Sequence, residues 1–108
     1  MSTVWGGGTQ SQVTMTQSFP SIAAASAQVL ARDTTRQYIQ IQNNNVAGIN
    51  LRMNFQSAAT LVCMKLQPGQ TWAPNAVPVD AIHMMGELGG VATPMADNSV
   101  ALVVGTPA

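Results

Sequence analysis

A chain of 108 residues is read as one domain, able to bury roughly 60–70% of its unfolded surface in a two-layer core. Its charged residues, Arg32, Arg36, Arg52 and Lys65 against Asp33, Asp80, Glu87 and Asp97, make up 7% of the chain where a typical soluble domain has about 25%, and they sum to zero. Four scattered cations balanced by acids exclude a phosphate-binding patch and with it a nucleic-acid partner, so a surface this poor in charge is expected to lie against other subunits or to be solvated by Gln, Asn, Thr and Ser.

Residues 1–20 read as an N-terminal arm of Gly, Ser, Thr and Gln, too poor in apolar side chains to make core by itself. Trp5, beside Gly6, Gly7 and Gly8, is either an anchor for a pocket or an incidental terminal residue. Within Gln12-Val13-Thr14-Met15-Thr16, apolar and polar residues alternate, as in a strand that pairs with an edge of its own or a neighbouring subunit. Trp5, Val13 and Met15 are therefore the candidate partner-binding residues. The start lacks the charged segment and apolar run of a signal peptide, and no window reaches the length of a membrane span, so synthesis in the cytoplasm and no membrane partner are expected.

Residues 21–108 read as a β-sandwich domain. In residues 21–31, alanines suit a helix but position suits a strand, and residues 27–31 are read as a strand. The centre of the chain is Tyr38-Ile39-Gln40-Ile41-Gln42 and Ile49-Asn50-Leu51-Arg52-Met53-Asn54-Phe55, each alternating strictly and so having one apolar face as a strand. They are expected to form a β-hairpin, with the Asn- and Gly-rich loop supplying left-handed backbone angles. Residues 28–31 are expected beside residues 38–42, completing a meander. Residues 61–66 follow as a strand, with Cys63 a small buried hydrophobe. Gln67-Pro68-Gly69-Gln70 is a type II turn. Thr71-Trp72-Ala73 is extended, residues 75–79 with Pro78 are loop or edge, and residues 81–86 form a strand turned by Leu88-Gly89-Gly90. Val91-Ala92-Thr93 is extended, and residues 99–105 close the fold. Short strands with Gly and Pro turns at this spacing give an all-β class: an antiparallel β-sandwich or jelly-roll-like barrel with an extended N-terminal arm.

The residues announce no chemistry. Asp80 and His83 point to opposite faces of a strand, so the single His lacks partners for a metal site. The acids Asp33, Asp80, Glu87 and Asp97 form no evident pair, and three of them fall in turns where carboxylates serve the backbone. No Ser sits at a strand-to-helix elbow, and the Gly6-Gly7-Gly8 run is no phosphate loop. No catalytic, cofactor-binding or metal-ligating residue is assigned and an enzyme is not expected. Met53, Met64, Met84, Met85 and Met95 read as core filling, and Trp72 and Tyr38 are the aromatics available to a carbohydrate-binding face.

The order Arg36-Gln37-Tyr38-Ile39-Gln40-Ile41-Gln42-Asn43-Asn44, a strand ending Asn54-Phe55, Ser57-Ala58-Ala59-Thr60, Lys65-Leu66-Gln67-Pro68-Gly69-Gln70, then Val77-Pro78 before Ala81-Ile82-His83, resembles small β-sandwich virion structural proteins of tailed bacteriophages, of the capsid decoration (cement) or head-fibre-base type. The likeness covers residues 27–105. Gln56 stands where such proteins often carry Gly before Ser-Ala-Ala-Thr. The resemblance implies a non-enzymatic virion component without cofactor: a decoration protein, homo-oligomeric and by phage habit trimeric, that binds the major capsid protein or another virion protein. The alternative is a tail- or head-fibre-associated module that binds host-surface glycan or another virion protein.

Overall fold

A computed structural model describes residues 12–108. The strands are β1 (Val13–Ser18), β2 (Ala27–Leu30), β3 (Tyr38–Asn43), β4 (Asn50–Phe55), β5 (Met64–Leu66), β6 (Thr71–Trp72), β7 (Ile82–Leu88), β8 (Val91–Ala92) and β9 (Val100–Pro107), with no helix among the described residues. They make two antiparallel sheets, β1-β9-β3-β6 and β2-β7-β4-β5, with β8 paired to β7. The all-β sandwich expected from the short strands and their turns is the observed architecture. Six residues of the expected arm, Val13–Ser18, are the edge strand of the four-stranded sheet, paired along β9 of the same chain.

The alternation in β3 and β4 is real, but the hairpin is not. β3 pairs with β9 and β6, whereas β4 pairs with β7 and β5, so the two strands lie in opposite sheets. Ile39 and Ile41 bury on one inner face and Leu51 and Met53 on the other, joined in the core by Ile82, Met84, Val100 and Leu102. Two strands with one apolar face each meet their burial requirement either side by side or face to face, and period-two alternation is the same in both. Local hydrogen bonds in the connection accompany the face-to-face arrangement. Asn43 is fully buried and sends its amide to the Ile49 and Leu66 carbonyls at 3.0 and 2.9 Å, while its Oδ1 accepts from the Asn45 amide nitrogen at 2.9 Å. Asn45 Oδ1 accepts from Ala47 N and Ile49 N, and its Nδ2 donates to Ser99 Oγ. In this loop only Gly48 takes a positive φ, at 83°; the asparagines are there for their side-chain amides.

β2 is likewise a strand whose expected partner is wrong. It pairs with β7, with a register shift between Gln28 and Leu30, and not with β3. The segment after it crosses between the sheets and is held by Arg36, whose guanidinium is buried and donates to the Ala31, Pro78 and Asp80 carbonyls at 2.9, 2.8 and 3.2 Å. Asp33 N donates to Val79 O, and Asp33 Oδ1 accepts from the Thr35 hydroxyl and amide, which lower its pKa.

The Pro68-Gly69 turn closes with Gln70 N donating to Gln67 O and Gly69 at φ 87°. Gly89 and Gly90 both have positive φ, as a two-residue type I′ hairpin between β7 and β8 requires. Residues 61–63 are not strand. They turn, with Cys63 N donating to Thr60 O and Val62 almost wholly exposed, so Cys63 is half-buried in a loop and Met64 is exposed at a sheet edge. Met53, Met84, Met85 and Met95 do fill the interior.

Gln56 sits at φ 70°, in the left-handed region, with its amide donating to Ala81 O at 2.8 Å. A side chain with a Cβ is strained there, and it occupies the position where the resemblance leads one to expect Gly. Gln56→Gly is expected to stabilise the fold by about 1 kcal/mol, because relief of strain outweighs the added freedom of the unfolded chain. Thermal unfolding of the two proteins checks this, with an unchanged or lower midpoint counting against it.

Candidate interaction surface

The inward alternation of β3 and β9 places their other side chains on the outer face of the four-stranded sheet. Tyr38 opposes Gly105, Gln40 opposes Val103 and Gln42 opposes Ala101, while on the other side of β9, Met15 opposes Gly105 and Gln17 opposes Val103. The glycine explains how these side chains converge. A Cβ on Gly105 would stand 2.7 Å from Val13 Cγ1, 2.8 Å from Met15 Sδ and 2.9 Å from Tyr38 Cβ, so all three close over the bare backbone. Met15 is 51% exposed and Val13 39%. The Tyr38 hydroxyl donates to Gln40 Oε1 at 2.8 Å, so the ring leans along β3 on a face of uncharged amides and apolar groups.

The two sheets differ sharply in charge. No Lys, Arg, Asp, Glu or His occurs in any strand of the four-stranded sheet, whereas Arg52, Lys65, His83 and Glu87 all lie on strands of the other. The outer face of that second sheet is organised by Glu87, which is 3% exposed. Its Oε1 accepts from Arg52 Nε at 3.2 Å and Asn50 Nδ2 at 3.3 Å, and its Oε2 from Gly90 N at 2.8 Å. Arg52 also donates to Cys63 O. The Gly90 amide first, then Asn50 and Arg52, hold the Glu87 carboxyl below its ordinary pKa against the opposing effect of burial.

A carboxylate whose folded pKa is depressed stabilises the fold above its unfolded value, about 4.3, and that contribution is lost as pH falls through the lower folded value. Glu87→Gln is therefore expected to cost about 1–2 kcal/mol at pH 7 and to flatten the loss of stability on acidification below about pH 4. Urea unfolding at several pH values checks both; parallel pH profiles for the two proteins would contradict the assignment.

Of the residues singled out in the sequence, Val13 and Met15 are brought together on one exposed face, and Trp5 lies outside the described residues. Tyr38, Gln40, Gln42, Val103 and Gly105 belong with them and were not anticipated. One signal was present: Val100-Ala101-Leu102-Val103-Val104 is apolar without a break, whereas a strand with water on one side alternates. Trp72 and Tyr38 do not share a platform. Trp72 opposes Ile41 and so faces the interior, stacked obliquely on Phe55 at 5.8 Å between ring centroids, while Tyr38 is on the outside. His83 opposes Asn54 and Gln28 on the charged sheet. Thr60 lies 3.2 Å from Cys63 Sγ and lowers the thiol pKa. Among the described residues no three His, Cys, Asp or Glu side chains gather as metal ligands.

The chain matches no protein-family model and no curated protein.

Proposed function

We propose that this chain is a non-enzymatic structural component of a bacteriophage virion, a capsid decoration (cement) subunit that assembles with copies of itself and lays one face on the major capsid lattice. The observation that carries the reading is the charge-free outer face of the four-stranded sheet, with Tyr38, Val13 and Met15 gathered over Gly105 and a strand, β9, apolar on both sides. A free protein keeps such a face wet at a cost; a subunit of a larger assembly covers it. The ordered run of motifs from Arg36 to His83 supports the phage assignment. The mechanism is linkage: a protein that binds only the assembled shell stabilises it by mass action.

The test is cosedimentation of the purified chain with empty shells of the phage whose genome encodes it, together with the thermal disruption temperature of those shells. Binding and a raised temperature are expected. Tyr38→Asp and Gln42→Asp, on the proposed face, should each weaken binding at least tenfold, while Lys65→Asp on the other sheet should leave it unchanged. Failure of the wild-type chain to bind, or equal binding by all three variants, would refute the proposal.

A further inference from the structure

Five strands lie at the edges of the two sheets, and four of them are blunted. β6 has only two residues and leads to Pro74; β8 also has two and leads to Pro94; β5 has three and carries Lys65; β2 has four and is broken by a register shift. Short length, charge, proline and bulges are the devices by which proteins keep sheet edges from pairing with other chains. β1 has none of them. It is six residues long, Val-Thr-Met-Thr-Gln-Ser, uncharged, in unbroken register with β9 and exposed throughout.

The backbone groups at its open edge follow from the pairing. Ala108 N donates to Gln12 O, and Gly105 O is taken by Gln37 N on the β3 side. In an antiparallel ladder, alternate residues point to alternate neighbours. Thr14, Thr16 and Ser18 therefore bond to β9, and the N–H and C=O groups of Val13, Met15 and Gln17 face outward, with no partner among the described residues. Their side chains are those on the charge-free face.

We propose that β1 pairs antiparallel with β1 of a second copy about a twofold axis at Met15, joining two four-stranded sheets into one of eight strands. Met15 is the middle residue of the three, so this register sets Met15 opposite its own copy and Val13 opposite Gln17 of the second chain. Every outward N–H and C=O of the three then has a partner. The twofold places two uncharged faces side by side, so the Val13, Met15 and Tyr38 cluster of one copy continues into that of the other with no like charges opposed. A second copy is thus the occupant that fits this edge. The pairing goes beyond the lattice reading and stands whether or not that reading holds.

The experiment uses the full chain, purified with no shell present. Light scattering at micromolar concentration is expected to give twice the 11.3 kDa subunit mass. Met15→Lys, which sets two cations at the axis without touching a bond to β9, should weaken the dimer at least tenfold while circular dichroism stays unchanged. In a Cys63→Ala background, Met15→Cys should cross-link under mild oxidation, because opposed residues of a bonded antiparallel pair lie about 5.5 Å apart, within disulfide range. Thr14→Cys in the same background, opposite Thr16 of the second copy in this register, should not. Deletion of residues 2–10 should leave the dimer intact. A monomer or a trimer, a monomer that dimerises only after that deletion, or equal cross-linking at positions 14 and 15 would overturn the proposal.

Discussion

Asn43→Ala is expected to cost about 3–5 kcal/mol, because it removes three buried side-chain bonds to the backbone at once. The Ile49 and Leu66 carbonyls lose a side-chain donor and the Asn45 amide loses its acceptor, all at a position with no exposure to water, while Leu66 keeps its place in the ladder opposite Leu51. Each such group costs about 1–3 kcal/mol when left unpaired, and the cavity left by the amide adds to it. Ile49 and Leu66 belong to the chain leading into and pairing with the second sheet, while Asn43 ends β3 in the first, so the same amide is a rivet between layers. Against a total stability of about 5–15 kcal/mol, the variant is left marginal. Asn43→Asp should not rescue it, since a carboxylate keeps the acceptor for Asn45 but turns oxygen toward two carbonyls. Urea unfolding measures both, and a loss below about 1 kcal/mol for Asn43→Ala would show that the network is dispensable.

Gly86→Ala is expected to cost about 3–4 kcal/mol for a steric reason. A Cβ at Gly86 would collide with the Thr93 carbonyl oxygen and lie 2.9 Å from Met95 Cγ. Neither neighbour is free to retreat. Thr93 N donates to Gly86 O at 3.0 Å, Gly86 N donates to Ala23 O at 3.1 Å, and Met95 N donates to Ile22 O at 2.9 Å, so the crowded segment is tied on both sides. Gly105→Ala makes the informative contrast. Two of its three closest contacts are the far ends of the Val13 and Met15 side chains, which swing away on an open face, so a cost of about 1–2 kcal/mol is expected. Thermal unfolding of the pair checks the ranking; equal losses would mean that the Thr93 segment moves more freely than its hydrogen bonds imply.

Strand positions and the sandwich class were legible because period two and turn chemistry are local. Ile39, Ile41, Leu51 and Met53 declare their inward faces by alternation alone, and Pro68-Gly69 and Gly89-Gly90 declare their turns by backbone preference. Pairing was not legible, because the same alternation serves a hairpin and two opposed strands. The residues that accompany the opposed arrangement, Asn43, Asn45 and Arg36, act through side-chain bonds to carbonyls and a hydroxyl as far as 54 positions away. The exposed face was half legible. Val13 and Met15 showed it in the alternation of a segment otherwise poor in apolar residues, but Tyr38 and Gly105 join them only once β9 is threaded between β1 and β3. The crowding of side chains over Gly105 has no trace in the order of residues.

An interface formed by a sheet with no ionised groups gives dissolved salt nothing to screen. Its strength would then rest on dehydration, so sodium chloride would leave attachment nearly untouched, sulfate would tighten it, and chilling would loosen it. A grip of that kind would hold across wide swings of ionic strength and be released by cold sooner than by brine.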